Sequence, residues 1–140
     1  ANLVLSSFIP MLLDTGGNSG SQCSTSIIRG LSLGEIRYID VPRVIFKESA
    51  VAMLCGLTLA VTNFAKLMLI DHVSMLIAAV VCFTLVVVVL VSNVVGGTLP
   101  ILAKRLGFDP TVMASPLITT IVDAVALIIY FNIAKLLLGI

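Results

Sequence analysis

Residues 73–95 read VSMLIAAVVCFTLVVVVLVSNVV, a run of 23 residues without a charged side chain. A helix of about 20 apolar residues crosses the hydrocarbon core of a bilayer, whereas ordinary strands have roughly 3–10 residues. The β-branched part of the run, LVVVVLV, would favour a strand in water, but the length of the whole run favours a helix in a membrane. This stretch therefore predicts an integral membrane protein.

The composition of the whole chain agrees with that prediction. Of the 140 residues, 59% are hydrophobic and 11% are charged, whereas a soluble domain has about half apolar and about a quarter charged residues. The net charge is +1 and no basic run is present, so we expect no nucleic-acid partner. Cys23, Cys55 and Cys82 lack metal-ligand spacing, and we expect them to be packing residues.

Three more segments are long enough to span a membrane. Residues 49–70 are uninterrupted, whereas the first and last segments contain polar residues that are rare at membrane depth. We predict a single all-α domain over residues 1–140 with about four spans, at about residues 1–28, 49–70, 73–95 and 111–138.

The basic residues predict the orientation of this bundle. Six of them lie in the two segments that follow the first and third spans: Arg29, Arg37, Arg43, Lys47, Lys104 and Arg105. Basic loops remain in the cytoplasm, so residues 29–48 and 101–110 are predicted to be cytoplasmic loops and both chain ends extracytoplasmic. A cytoplasmic N-terminal part in a longer parent protein would then require one more crossing before Ala1.

Polar residues recur at helical spacing in the first and last spans. The series on the last span is Ser115, Thr119, Asp123, Ala126 and Tyr130, with spacings of four, four, three and four residues. On the first span a similar rhythm connects Asp14, Gly17, Asn18, Ser21 and Thr25. Such spacing places residues on one face of a helix, so each of these two spans is predicted to have one polar face.

The two acids of these faces are predicted to lie near the middle of the membrane. At a rise of 1.5 Å per residue, Asp14 is about 22 Å from Arg29 and Asp123 about 20 Å from Pro110. An ionisable residue at such a depth indicates function. Carboxylate, carbonyl and hydroxyl oxygens suit hard cations such as Mg²⁺ and Ca²⁺. One Asp123 per chain is few for a dication, so we expect a two-fold symmetric homodimer.

Structural interpretations of the same residues remain open. Asp123 could be a neutral buried carboxyl, or it could hydrogen-bond to Thr119 or Thr120 and join helices. Asp14 could cap backbone N–H groups beside the glycine pair.

The glycines and amides of the first span also have structural interpretations. Gly16 and Gly20 satisfy the GxxxG packing pattern, and Asn18 and Gln22 could form interhelical hydrogen bonds.

Two longer motifs resemble a known family. The first is PMLLDTGGNSGSQCSTSIIRGL, residues 10–31, and the second is GGTLPILAKRLGFDPTVMASPLITTIVDAVALIIYF, residues 96–131. Both are similar to the transmembrane part of the MgtE-type magnesium channel family. The resemblance implies a homodimeric magnesium-selective channel of the inner membrane, with the ion path between subunits and lined by the first and last spans. By this resemblance, we expect residues 1–140 to lack the family's cytoplasmic magnesium-sensing domains and the first of its five transmembrane helices.

The resemblance also assigns roles to particular residues. The ion-binding acid of the family's last helix falls on Asp123, and its filter-lining glycine segment falls on residues 16–21, where some members have asparagine at the position of Ser21. Asp109 matches an acid that faces the regulatory part. The predicted metal ligands are Asp123, Asp14 and Asp109. The predicted pore-lining residues are Gly16, Gly17, Asn18, Ser21, Ser115, Thr119 and Thr120.

The sequence therefore predicts a channel that conducts hydrated Mg²⁺ and is embedded in the inner membrane, with Mg²⁺ as the transported ion rather than a resident cofactor. One alternative is a secondary transporter in which Asp123 or Asp14 exchanges protons or sodium for the divalent ion. Another is a membrane scaffold held together by polar residues. An enzyme is not expected, because the chain lacks a phosphate loop and a nucleophile paired with an acid and a base.

Overall fold

The computed structural model describes the backbone of residues 2–113 and 115–139 and the side chains of residues 4–112 and 116–139. Within these residues the fold contains helices and turns but no β-strand, which confirms the predicted all-α class. The α-helices are α1 (Asn2–Ser7), α2 (Ile9–Ser32), α3 (Val41–Leu69), α4 (Met75–Arg105) and α5 (Ser115–Leu138). Two short 3₁₀ helices, Tyr38–Asp40 and Pro110–Met113, precede α3 and α5.

Three of the four long helices have the length and hydropathy of membrane spans. They comprise Tyr38–Leu69, Met75–Arg105 and Pro116–Leu138. The remaining long helix, α2, has 24 residues, enough for about 36 Å at 1.5 Å per residue. Its glycines and polar residues lower its hydropathy, and it packs against α4 and α5. The predicted integral membrane bundle is confirmed.

The helix ends differ from the predicted span ends, because a helix can continue past the apolar core of a bilayer. Helix α3 begins at Val41 rather than at residue 49, and α4 continues to Arg105 rather than ending at residue 95. The first predicted span is broken at Phe8, where α1 ends and α2 begins. Pro10 lies in the first turn of α2. The N–H groups of a first turn have no acceptor inside the helix, so a proline, which lacks an N–H, costs no hydrogen bond there.

Helix α4 is the central element of the bundle. It packs against α2, α3 and α5, and α2 and α5 also contact each other. The apolar surface of α4 extends all round the helix, which is typical of a buried helix. Much of the core consequently comes from α4, with Val80, Val81, Val88 and Val89 almost completely buried.

Small residues allow the backbones of α2 and α4 to come into direct contact. A Cβ atom placed on Gly96 of α4 would overlap the carbonyl oxygen of Gly20 on α2. A Cβ on Gly16 would lie 2.7 Å from a methyl group of Val88. Gly16 and Gly20 therefore serve as packing residues, one of the two roles that the sequence left open for them.

Candidate ion-binding site

The α2–α5 contact brings the predicted glycine segment and the predicted acid together. A Cβ atom placed on Gly17 would lie 3.2 Å from Thr119 Cγ2 and 3.7 Å from Asp123 Oδ1. Any larger residue at position 17 would therefore take up space beside the carboxylate. The structure thus joins residues 106 positions apart in the chain into one local cluster of Gly17, Thr119 and Asp123.

This cluster lies at the edge of an exposed polar face. Asp14 and Asn18 on α2 are exposed, and Asp123 and Thr119 on α5 are partly buried. The buried side of α2 is formed instead by Gly16, Gly17 and Gly20 among others. The described part of the chain therefore leaves the polar surface of α2 uncovered by its own helices.

Asp14 lies about one helical turn before the glycine of α2 that adjoins Asp123. Gly17 is the α2 residue whose added Cβ would approach Asp123, and Asp14 precedes Gly17 by three residues. At 1.5 Å per residue, Asp14 lies about 4.5 Å from Gly17 along α2. The membrane depths of Asp14 and Asp123 that were calculated from the sequence, about 22 Å and about 20 Å, differ by less than that. Along α2, Asp14 therefore lies about one turn from the residue that adjoins Asp123.

The threonines near Asp123 use their hydroxyl protons elsewhere. Both Thr119 Oγ1 and Thr120 Oγ1 donate to the carbonyl oxygen of Pro116, at 3.0 and 2.8 Å. A threonine hydroxyl has one proton to donate, so neither residue donates to the Asp123 carboxylate. The hydrogen-bonded alternative that the sequence left open for Asp123 is not the arrangement found here.

The expected polar face of α5 does not continue to its C-terminal half. The buried side of the helix is formed by residues spaced by four: Ile118, Val122, Ala126, Tyr130 and Ala134. Four residues turn through about 400°, so this stripe drifts by about 40° per step around the helix. Tyr130 is 1% exposed and its hydroxyl donates to the Leu5 carbonyl at 2.8 Å. The placement of Ala126 and Tyr130 on a polar face was therefore wrong.

Two of the predicted site residues lie outside the cluster. Ser115 falls among the residues whose side chains are outside the described part. Asp109 is exposed in the connection between α4 and α5, where its Oδ1 accepts a hydrogen bond from the Thr111 N–H at 2.9 Å. That hydrogen bond lowers the pKa of the Asp109 carboxyl. Asp123 lies eight residues inside α5, at least about 12 Å further along the helix, so Asp109 is separate from the cluster.

The described residues of one chain do not gather a cluster of metal-ligating side chains. Among the described residues, no group of three or more histidine, cysteine, aspartate or glutamate side chains is placed to hold a metal ion. On α2, the oxygen-bearing side chains of Asp14 and Asn18 are exposed, and Gly17 adjoins Asp123. Such donors suit an ion that keeps its water shell and is contacted through it.

The structure also shows a polar contact behind the glycine segment that sequence reasoning missed. Ser19 Oγ donates to Asn93 Oδ1 at 2.5 Å, and the Cys23 thiol donates to the Asn93 carbonyl oxygen at 3.3 Å. Asn93 is an uncharged polar residue inside the apolar run of residues 73–95. That isolated amide was the available signal, because polar side chains at membrane depth usually have a specific partner.

The chain is similar to known proteins over nearly all of its length. A family described as "MgtE: Divalent cation transporter" matches residues 9–133. The protein named "Magnesium transporter MgtE" of Thermus thermophilus is 42% identical over 134 residues, which are 96% of this chain. Proteins of the same name from Bacillus subtilis and Enterococcus faecalis are 33% and 29% identical over 94% and 95% of this chain. The chain spans about 29% of the length of each of these three relatives.

Proposed function

Because the chain belongs to the MgtE family of divalent cation transporters, we propose that it forms a pore that conducts Mg²⁺ across the inner membrane. The pore lies between two copies related by a two-fold axis. Asp123 is its electrostatic centre, Asp14 is a second acid one turn away, and the backbone of Gly16–Asn18 supplies carbonyl oxygens. The printed names of three relatives, all magnesium transporters, support the choice of ion.

The observation that carries the proposal is the uncovered polar face beside Asp123. An ionised carboxylate is costly against lipid, so intramembrane acids face protein or water. Asp14 and Asn18 are exposed, and Asp123 lies at the edge of the same surface. A second copy of the chain would cover this surface and enclose a polar path. Two Asp123 carboxylates on a two-fold axis would match the charge of one dication.

The donors favour a hydrated ion. Mg²⁺ gives up its waters reluctantly and is commonly held through them, and carboxylate and carbonyl oxygens accept hydrogen bonds from such waters. Loose outer-sphere contacts also let an ion leave, which conduction requires. The membrane potential adds about 2.3 kcal/mol per charge per 100 mV, so entry of a dication into the cell needs no other energy source.

A Mg²⁺ flux experiment separates this channel from a coupled transporter. The chain, reconstituted into liposomes with an internal Mg²⁺ indicator, is given a K⁺ diffusion potential without any proton or sodium gradient. We expect Mg²⁺ uptake that grows with the potential, because a pore needs only the electrochemical gradient of the ion. Protein-free liposomes provide the background rate. Uptake that required a proton or sodium gradient would instead support exchange at Asp123 or Asp14.

Cysteine labelling tests the proposed orientation. Ser32 is the last residue of α2 and Ser74 precedes α4, and both are exposed. In a Cys55→Ser background, Ser74→Cys should react with an impermeant maleimide added to intact cells, and Ser32→Cys should react only after the membrane is opened. The remaining native cysteines, Cys23 and Cys82, are buried. The opposite pattern of labelling would reverse the orientation and place both chain ends in the cytoplasm.

A further inference from the structure

We propose that Asn93 is a positioning residue that sets the register of α2 against α4 and thereby the geometry of the ion-binding site. The inference rests on the proposed function, since it assigns a role in ion selection. Asn93 does not touch the predicted ion path. It acts through α2, the helix that carries Asp14 and the glycine segment.

Asn93 contacts two successive turns of α2. Its side-chain oxygen accepts the hydrogen bond from Ser19, and its main-chain oxygen accepts the one from the Cys23 thiol. Asn93 is 5% exposed, so water does not compete effectively for either contact. One residue of α4 therefore determines both the height and the rotation of α2 at this level.

These contacts lie behind the site rather than in it. Ser19 follows Gly17 by two residues, which corresponds to about 200° around a helix. Gly17 accordingly faces Thr119 and Asp123 of α5, whereas Ser19 faces α4. A shift of α2 along or around α4 would move Gly17 and Asn18 relative to Asp123 by a similar amount.

Around the glycine segment, the remaining α2–α4 contact is apolar and consists largely of small residues. Gly16, Gly20 and Gly96 bring the backbones together, and small residues offer few protruding side chains that interlock. Apolar packing between helices tolerates alternative registers, whereas a single buried asparagine can specify one register. In lipid, the alternative of an unpaired amide is unfavourable. The Ser19–Asn93 hydrogen bond is therefore the directional element at the level of the glycine segment, whereas another α2–α4 hydrogen bond, from Lys104 Nζ to the Leu31 carbonyl oxygen at 2.9 Å, lies at the C-terminal end of α2.

A loss of register should appear first in discrimination between ions of equal charge. Mg²⁺ and Ca²⁺ differ in size and in how rigidly they hold their ligands, so a displaced site can still attract both by charge while distinguishing them less well. We expect Asn93→Leu to lower the ratio of Mg²⁺ to Ca²⁺ flux by roughly three- to twentyfold, the range spanned by interhelical hydrogen bonds in membranes.

The experiment measures that flux ratio in liposomes for a small set of variants. Ser19→Ala removes the donor of the same hydrogen bond and should lower the ratio similarly, whereas Ser19→Thr keeps a hydroxyl and should retain it. The double variant Asn93→Leu with Ser19→Ala should resemble either single variant, because both remove one interaction.

Asn63 offers a matched control on α3. Its side-chain nitrogen is buried without a hydrogen-bond partner in the part of the chain that the structure describes, and α3 packs mainly against α4. Asn63→Leu should leave the flux ratio of the parent unchanged.

Three outcomes would overturn the inference. In the first, Asn93→Leu and Ser19→Ala reduce thermal stability but keep the parental flux ratio, which makes the contact structural only. In the second, the effects of the two substitutions add fully, which shows that they act independently. In the third, the parent chain conducts neither ion, and the proposed function then fails together with the inference. The first two outcomes leave the proposed function intact, so the two failures are distinguishable.

Discussion

Asp123→Asn should reduce both Mg²⁺ binding and Mg²⁺ conduction by more than about a hundredfold. Asparagine keeps the volume and much of the hydrogen-bonding capacity of aspartate but removes two negative charges from a symmetric dimer. At an effective dielectric constant near 20, two unit charges about 4 Å apart interact by about 4 kcal/mol, and each 1.4 kcal/mol corresponds to about a tenfold change in affinity. Calorimetric titration with Mg²⁺ and flux into liposomes measure the two quantities.

Asp71→Asn is the matched control for the loss of charge. Asp71 lies on the exposed turn after α3 and pairs with Lys66 at 2.7 Å. Its replacement should leave conduction close to that of the parent, because an exposed ion pair contributes little. An Asp123→Asn dimer that binds and passes Mg²⁺ like the parent would end the assignment of Asp123 to the pore.

Asp14→Asn distinguishes two arrangements of the acids. Asp14 is exposed and lies about one turn from the level of Asp123 along α2. We expect a smaller loss of conduction than for Asp123→Asn, since a separate level weakens its attraction for an ion at the centre. An equal loss would indicate that the four carboxylates of a dimer act on one ion as a single ring.

Gly96→Ala should disrupt the bundle more than any other glycine-to-alanine change on α4. The added Cβ would overlap the carbonyl oxygen of Gly20, a backbone atom that cannot move without displacing α2. Overpacking of this kind destabilises a fold by about 1–3 kcal/mol and occasionally by more, and we expect the upper end of that range. Thermal unfolding in detergent and the fraction of protein that remains monodisperse measure the effect.

Gly97→Ala is the corresponding control at the neighbouring position. Its Cβ would meet the sulfur atom of Cys23 at 3.5 Å, an ordinary van der Waals distance. Alanine is favoured over glycine in a helix interior by up to about 1 kcal/mol, so this change should be neutral or slightly stabilising. Similar destabilisation by both substitutions would contradict the role assigned to the Gly20–Gly96 approach.

The fold class was predictable because the bilayer imposes a length on each helix. Residues 73–95 form a run longer than any ordinary strand, and the chain has fewer charged residues than a soluble domain. The helix ends were less predictable. The length of an apolar run reflects the thickness of the membrane. A helix ends where its backbone hydrogen bonds end, which for α4 is at Arg105.

The candidate site was predictable only in part. Helical spacing placed Asp14 and Asn18 on one face of α2, and the structure leaves both exposed. The same spacing wrongly extended the polar face of α5 to Tyr130, because periodicity treats each helix as straight and isolated. The contact with α1 and the drift of the buried stripe turn Tyr130 inward.

The sequence by itself determined the membrane class, the polar character of the first and last long segments, and the presence of an acid deep in the last one. Only the tertiary structure decided which residues meet across helices. Gly17 lies beside Asp123, Gly20 abuts Gly96, and Ser19 pairs with Asn93. The physical reason is that apolar length and helical period are properties of one segment, whereas a crossing between helices depends on small residues and hydrogen-bond partners that lie far apart in the chain.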